Sequence, residues 1–138
     1  MSRFISTALL AAALAGMAMP AQALDLTIEV SGARGSEGAV LGALYDSAES
    51  WLKKPLRAER ATAGARAVLV FRDLPAGTYA LALFHDQNGN GKMDTNPVGM
   101  PIEAYGFSRN ARGDFGPPKF DAAALSLGAD MTIEVVLQ

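Results

Sequence analysis

"LDLTIEVSG", Leu24 to Gly32, decides the fold: Leu24, Leu26, Ile28 and Val30 alternate with Asp25, Thr27 and Glu29. A period of two describes a strand with one face on a core and the other in water. The end of the chain repeats the pattern in "DMTIEVVLQ", where Met131, Ile133, Val135 and Leu137 alternate with Thr132 and Glu134. Between them lie "AVLGALYDS", with Val40, Leu41, Leu44 and Tyr45, and "RAVLVFRDL" from Arg66 to Leu74. Gly42 inside the former marks a bulge or a close backbone approach. The turn "PAG", Pro75 to Gly77, hands the chain to "TYALALFHD". This pair reads as a β-hairpin or corner, with Val68, Val70 and Leu74 on one face and Tyr79, Leu81 and Leu83 on the next strand. Helical periodicity is confined to a turn or two in "SAESWLKK" and "FDAAAL". Short strands divided by Gly and Pro predict an all-β fold, an antiparallel β-sandwich of about seven strands with three to four in each sheet.

The first residues read as an export signal. Arg3 gives the positive start, "FISTALLAAALAGMAM" the apolar run, and "AQA" at 21–23 a small-x-small cleavage site. The run is short for a membrane span, Pro20 follows it, and no second apolar segment appears. The expected organisation is a signal peptide over 1–23 and one β-sandwich domain over 24–138, released into the periplasm or the medium. The chain has 138 residues, so 115 follow the expected cut, a length that suits one core. Cysteine is absent, which leaves no lipid attachment point and no disulfide. Packing, aided by any bound ion, must hold the domain together. One of the 12 basic residues, Arg3, lies in the leader, leaving 11 against 14 acidic side chains. That balance gives no attraction to nucleic acid or anionic lipid over distance.

From Asp86 to Lys119 neither periodicity holds, and so long an irregular stretch in a compact domain is usually functional or disordered. Tyr105, Phe107, Phe115 and Phe120 recur through it among prolines and glycines, which predicts an ordered loop anchored by its rings. The loop begins "HDQNGNGKMDTNPVG", His85 to Gly99. Calcium takes six to eight oxygen ligands, and calcium loops set acidic or amide side chains at alternate positions. Against D-x-[DN]-x-[DN]-G the chain supplies Asp86, Asn88, Asn90 and Gly91. Lys92 would give its main-chain carbonyl, and Asp94 would act directly or through a water. The match fails at the twelfth position, where Pro97 replaces the bidentate Glu, and Glu103 is the nearest acid that could swing in. Two carboxylates imply weak binding, a Kd on the order of 10⁻⁴ to 10⁻³ M. Magnesium fits less well because it demands tight octahedral geometry. The alternative is a metal-free turn, since the Asn-Gly pairs at 88–89 and 90–91 are hairpin-turn signals by themselves.

His85 is the sole histidine. Beside Asp86 it offers an acid-base residue or a metal ligand, but a structural side chain at a strand end is the commoner case. With no cysteine and no second histidine, the chain is a poor match for zinc. Ser108 and Ser126 lie in no nucleophile-elbow context.

Over Leu74 to Leu125 the chain resembles a bacterial family of small exported proteins of unknown function, DUF2141. The family hallmark is a Gly-Thr-Tyr-Ala strand followed by HDxNGNGKxDTNxxGxPxExYGFSxNARGxFGPPxFxxA. The match runs from His85 and Asp86 through Glu103, Tyr105, Gly106, Phe107, Ser108, Asn110, Pro117 and Phe120 to Ala122. It departs mildly at Arg109, where a small or amide residue is common, and at Pro97-Val98 before Gly99. The resemblance implies a transthyretin-like or immunoglobulin-like sandwich and no defined activity. The functional expectation is a non-enzymatic protein that binds calcium through Asp86, Asn88, Asn90, Lys92, Asp94 and Glu103 and presents its aromatic loop to a protein or glycan partner. A small-molecule or glycan binder stacking on Tyr105, Phe107 and Phe115 is the alternative. A hydrolase using His85 with Asp86 or Glu103 would need a concave pocket with the imidazole at its floor.

Overall fold

A computed structural model describes residues 23–138; the expected signal peptide lies outside the described residues except for Ala23. Among the described residues eight strands run in chain order: β1 (Leu24–Ser31), β2 (Ala39–Tyr45), β3 (Arg57–Thr62), β4 (Ala67–Leu74), β5 (Gly77–Asp86), β6 (Tyr105–Phe107), β7 (Leu125–Leu127) and β8 (Met131–Val136). A 3-10 turn, Ser108–Asn110, follows β6, and one helical turn, α1 (Phe120–Ala123), precedes β7. "SAESWLKK" forms turns without a helix. Two sheets pack as a sandwich, one ordered β4-β1-β8 and the other β3-β2-β5-β6, with β7 also paired to β5. β1 pairs antiparallel with β4 but parallel with β8, Leu26 standing opposite Met131. The two ends of the domain that share a hydrophobic pattern thus lie side by side, and the first sheet is mixed.

The alternating residues of β1 fill the space between the sheets, where Leu26, Ile28 and Val30 are buried with Leu69 and Phe71 of β4. Val40 and Leu44 of β2 and Leu81 and Leu83 of β5 meet them from the second sheet. Burial of each such side chain is worth about 1.5–3 kcal/mol. Gly42 is a close approach and not a bulge: β2 keeps unbroken register with β3 and β5. A Cβ there would stand 2.8 Å from Leu69 Cδ1 of the opposite sheet.

One expectation for β4 is corrected. Its core face carries Ala67, Leu69, Phe71 and Leu74, whereas Val68 is exposed and Val70 half-buried. In "AVLVF" every residue is apolar, so the run does not reveal its own phase. Pairing with β1 sets it, and a register shift between Leu24 and Leu26, with Asp73 at φ 58°, restores Leu74 to the interior. Of the hairpin or corner expected at Pro75 to Gly77 the chain forms the corner, because β4 and β5 belong to different sheets.

The outer face of the second sheet carries another cluster, Tyr45, Trp51, Ala80, Phe107, Phe120 and Ala123. Trp51 sits edge-on to Tyr45 at 5.1 Å between ring centroids and to Phe120 at 5.9 Å, and its Nε1–H donates to Pro118 O at 2.9 Å. Ser108 Oγ accepts the Leu81 N–H at 2.9 Å and donates to Ala123 O. These contacts order the far half of the long loop. Among the described residues no helix is long and apolar enough to cross a membrane.

Candidate functional site

β5 ends at Asp86 on the outer-face parity it shares with Ala80 and Ala82, while His85 continues the inner parity of Leu81 and Leu83. The chain then turns back on itself through Gly89 at φ 70° and Gly91 at φ 74°, conformations that glycine adopts without steric cost. Asn88 Oδ1 accepts the Asn90 N–H at 3.2 Å and Asn90 Oδ1 the Lys92 N–H at 2.9 Å, two successive side-chain-closed turns. Their amide nitrogens both donate to Asp94, Asn88 Nδ2 to Oδ2 and Asn90 Nδ2 to Oδ1, the latter at 2.7 Å. Asp86 Oδ2 accepts the Gly91 N–H at 2.8 Å.

Asn88, Asn90 and Asp94 are therefore joined by side-chain hydrogen bonds, while Asp86 meets the loop at the Gly91 N–H and Lys92 joins through its own N–H. Glu103 is brought to the loop in a different capacity. It is buried, with Oε1 accepting the Asp94 N–H and Oε2 the Gln87 N–H, each at 2.9 Å. It clamps the two ends of the loop. Among the described residues, no group of three or more Asp, Glu or His side chains is arranged to hold a metal. Any cation here would rest on two carboxylates supplemented by amide and main-chain oxygens, a donor set for a hard cation and not for zinc or copper.

One atom does not fit a self-sufficient turn. Asp86 is only 3% exposed, and its Oδ1 is buried without a hydrogen-bond partner. An unpartnered buried polar atom of this kind costs about 1–3 kcal/mol, and more when charged. Buried carboxylates ordinarily meet that cost by pairing or by metal coordination.

His85 has no exposed surface. Its Nδ1 accepts the Arg34 N–H at 3.0 Å, which leaves Nε2–H to donate to Glu37 O at 2.6 Å. The ring ties β5 to the connection between β1 and β2. A cleft of about 180 Å³ is lined by Tyr105, Phe107, Asn110, Arg112 and Val136 among others, and a shallower one of about 550 Å³ by residues around Leu24 and Asp130. His85 lines neither. The expected stacking face of Tyr105, Phe107 and Phe115 is not formed: Phe107 is 8% exposed inside the outer cluster, Tyr105 packs edge-on to it, and Phe115 alone stands fully in solvent. Apolar contact with Trp51 outweighed the availability of Phe107 as a surface ring.

Residues the sequence reading passed over complete the loop. Asn96 Oδ1 accepts the N–H groups of Val98 at 3.1 Å and Met100 at 2.9 Å, and Thr95 bridges to Pro101. The signal was present in "NPVG", since Asn-Pro initiates turns. Arg34 and Glu37, the partners of His85, lie far off in sequence and left no local sign.

A family model described as an uncharacterized protein conserved in bacteria (DUF2141) matches residues 28–134. No curated protein and no solved structure matches the chain.

Proposed function

The chain belongs to the DUF2141 family of uncharacterized bacterial proteins, and from that premise we propose that it is an exported, non-enzymatic β-sandwich protein that binds calcium through Asp86 to Asp94. The observation that carries this reading is the buried, unpartnered Oδ1 of Asp86. Asp86, Asn88, Asn90, the Lys92 carbonyl and Asp94 would be the ligands, and Glu103 would hold the loop closed around them. Each Asn amide either donates to Asp94, as here, or turns its oxygen toward a cation. Binding therefore competes with an existing turn network, which together with the low carboxylate count places the affinity at the weak, extracellular end. The occupation of both His85 nitrogens by main-chain groups supports the non-enzymatic part of the reading.

Thermal unfolding of the chain from Leu24 to Gln138, which holds every strand described above, tests this in excess EDTA and across a calcium titration with magnesium as control. Calcium at about tenfold over its Kd adds roughly 1.4 kcal/mol to the folded state, a rise of about 4–8 °C in Tm. Asp86→Ala should abolish the rise. An unchanged midpoint up to millimolar calcium would reduce the loop to a hydrogen-bonded turn.

A further inference from the structure

Thr95 to Ile102, "TNPVGMPI", carries no charged side chain and projects from the loop that Glu103 closes. From Asn96 to Ile102 its main-chain N–H donors are all used within the loop. Asn96 N–H donates to Met100 O, Val98 and Met100 N–H to Asn96 Oδ1, Gly99 N–H to Asn96 O, and Ile102 N–H to Asp94 O. Pro97 and Pro101 have no N–H to satisfy. The side chains do the reverse: Val98 is 80% exposed, Met100 63% and Ile102 53%. Single apolar residues at a surface are ordinary. Three within five residues, on a turn whose N–H donors from Asn96 onward are already bonded, leave fewer polar groups to desolvate when the tip leaves water.

The base of this tip is charged. Arg34 Nη1 donates to Ile102 O at 2.9 Å, Lys92 is exposed, and Asp86, Asp94 and Glu103 face the same loop. Three carboxylates against two basic side chains leave the base net negative, and one calcium ion would make it net positive. Three side chains on one turn are too few for a stable protein interface, which needs on the order of 1,000 Å². A lipid interface requires no complementary shape, and affinity for it grows with inserted apolar area and with attraction to anionic headgroups.

We propose that the Pro97–Ile102 tip inserts into an anionic lipid surface when the adjoining loop holds calcium, a proposal that rests on the cation reading above. The test is co-flotation of the chain from Leu24 to Gln138, free of the apolar leader, with vesicles of phosphatidylcholine alone or mixed with phosphatidylglycerol, in calcium or EDTA. Calorimetric calcium titration of the same protein without vesicles runs beside it. The expected result is flotation with the mixed vesicles in calcium only. Val98→Asp and Met100→Asp, at exposed sites that leave the fold intact, should each lower partitioning about tenfold or more while calcium affinity holds. Calcium binding without flotation would overturn the lipid proposal and leave the cation reading standing. Absence of both would overturn the two together. Flotation unaffected by EDTA, or by the tip substitutions, would also overturn it, because the contact would then be independent of the ion or made elsewhere.

Discussion

Glu103 and Asp94 are joined through the main chain: one Glu103 carboxylate oxygen accepts the Asp94 N–H at 2.9 Å while the other accepts the Gln87 N–H at the same distance. A side chain from beyond the loop thus fixes the distance between its two ends. Glu103→Gln keeps the shape but turns an NH₂ group toward one of those donors. It should cost about 1–3 kcal/mol, the range for a buried donor left unsatisfied. Faster hydrogen exchange at the Gln87 or Asp94 amide, with protection in β1 unchanged, would locate the loss at the clamp.

Asp86 gives a prediction whose sign depends on the solution. In EDTA, Asp86→Asn removes a buried negative charge whose Oδ1 has no partner, so stability should hold or rise slightly. In calcium the same substitution removes a charged ligand, and the variant should fall below the parent by the whole of the calcium-induced gain. Thermal melts of both proteins in both buffers check this. Curves that keep the same order throughout would separate Asp86 from any ion.

His85 makes a structural prediction. Replacing it with Phe preserves much of the volume and strands two main-chain groups, the Arg34 N–H and the Glu37 carbonyl, inside the protein. At about 1–3 kcal/mol for each, the loss should be roughly 2–6 kcal/mol in urea denaturation. A variant as stable as the parent would mean that water reaches those groups.

What the sequence revealed follows from the range of each interaction. β1 and β8 were legible because a half-buried strand writes its exposure residue by residue. β3, "RAERAT", was not: it is an edge strand, its pattern alternates between half-buried and exposed, and no large apolar residue marks it. β6 and β7 have three residues each, too few to show a period. Within the loop, the turn built by Asn88, Asn90 and Asp94 was visible because turn chemistry acts over two to five residues. The clamp role of Glu103 was hidden, since it depends on where the chain returns to form β6. The burial of Phe107 was hidden for the same reason, being decided by Trp51.

Gly42 tests the close approach of the two sheets. A methyl group at this position would meet Leu69 Cδ1 at 2.8 Å and Leu83 Cδ2 at 3.6 Å. Leu69 is 1% exposed and can yield only by leaving its rotamer against Phe71 and its other neighbours. Gly42→Ala should therefore destabilise by about 1–3 kcal/mol, the usual cost of overpacking, even though Ala suits a strand better than Gly. Leu69→Val in the same chain shortens the obstructing side chain and should return part of the loss. A double-mutant cycle measures that recovery, and a coupling energy of at least about 0.5 kcal/mol would place the two residues in contact across the sandwich.

Alkaline titration probes the core from a different side. Burial raises the Tyr45 phenol above its ordinary range, and burial first, then the nearby Asp46 carboxylate, raises that of Tyr79, with Arg57 partly opposing. Tyr79 also donates its O–H to Pro75 O at 2.6 Å, a bond that the phenolate cannot make. A folded-state pKa above the unfolded value means that the folded protein holds protons the unfolded chain has already released. The stability these groups contribute is complete below the unfolded pKa of about 10 and is lost as pH rises through the folded values. Urea midpoints should accordingly fall as pH rises above about 10, and Tyr79→Phe, which cannot ionise, should flatten that decline while lowering the midpoint at neutral pH through loss of the Pro75 bond. A decline equally steep in the variant would assign it to Tyr45 instead.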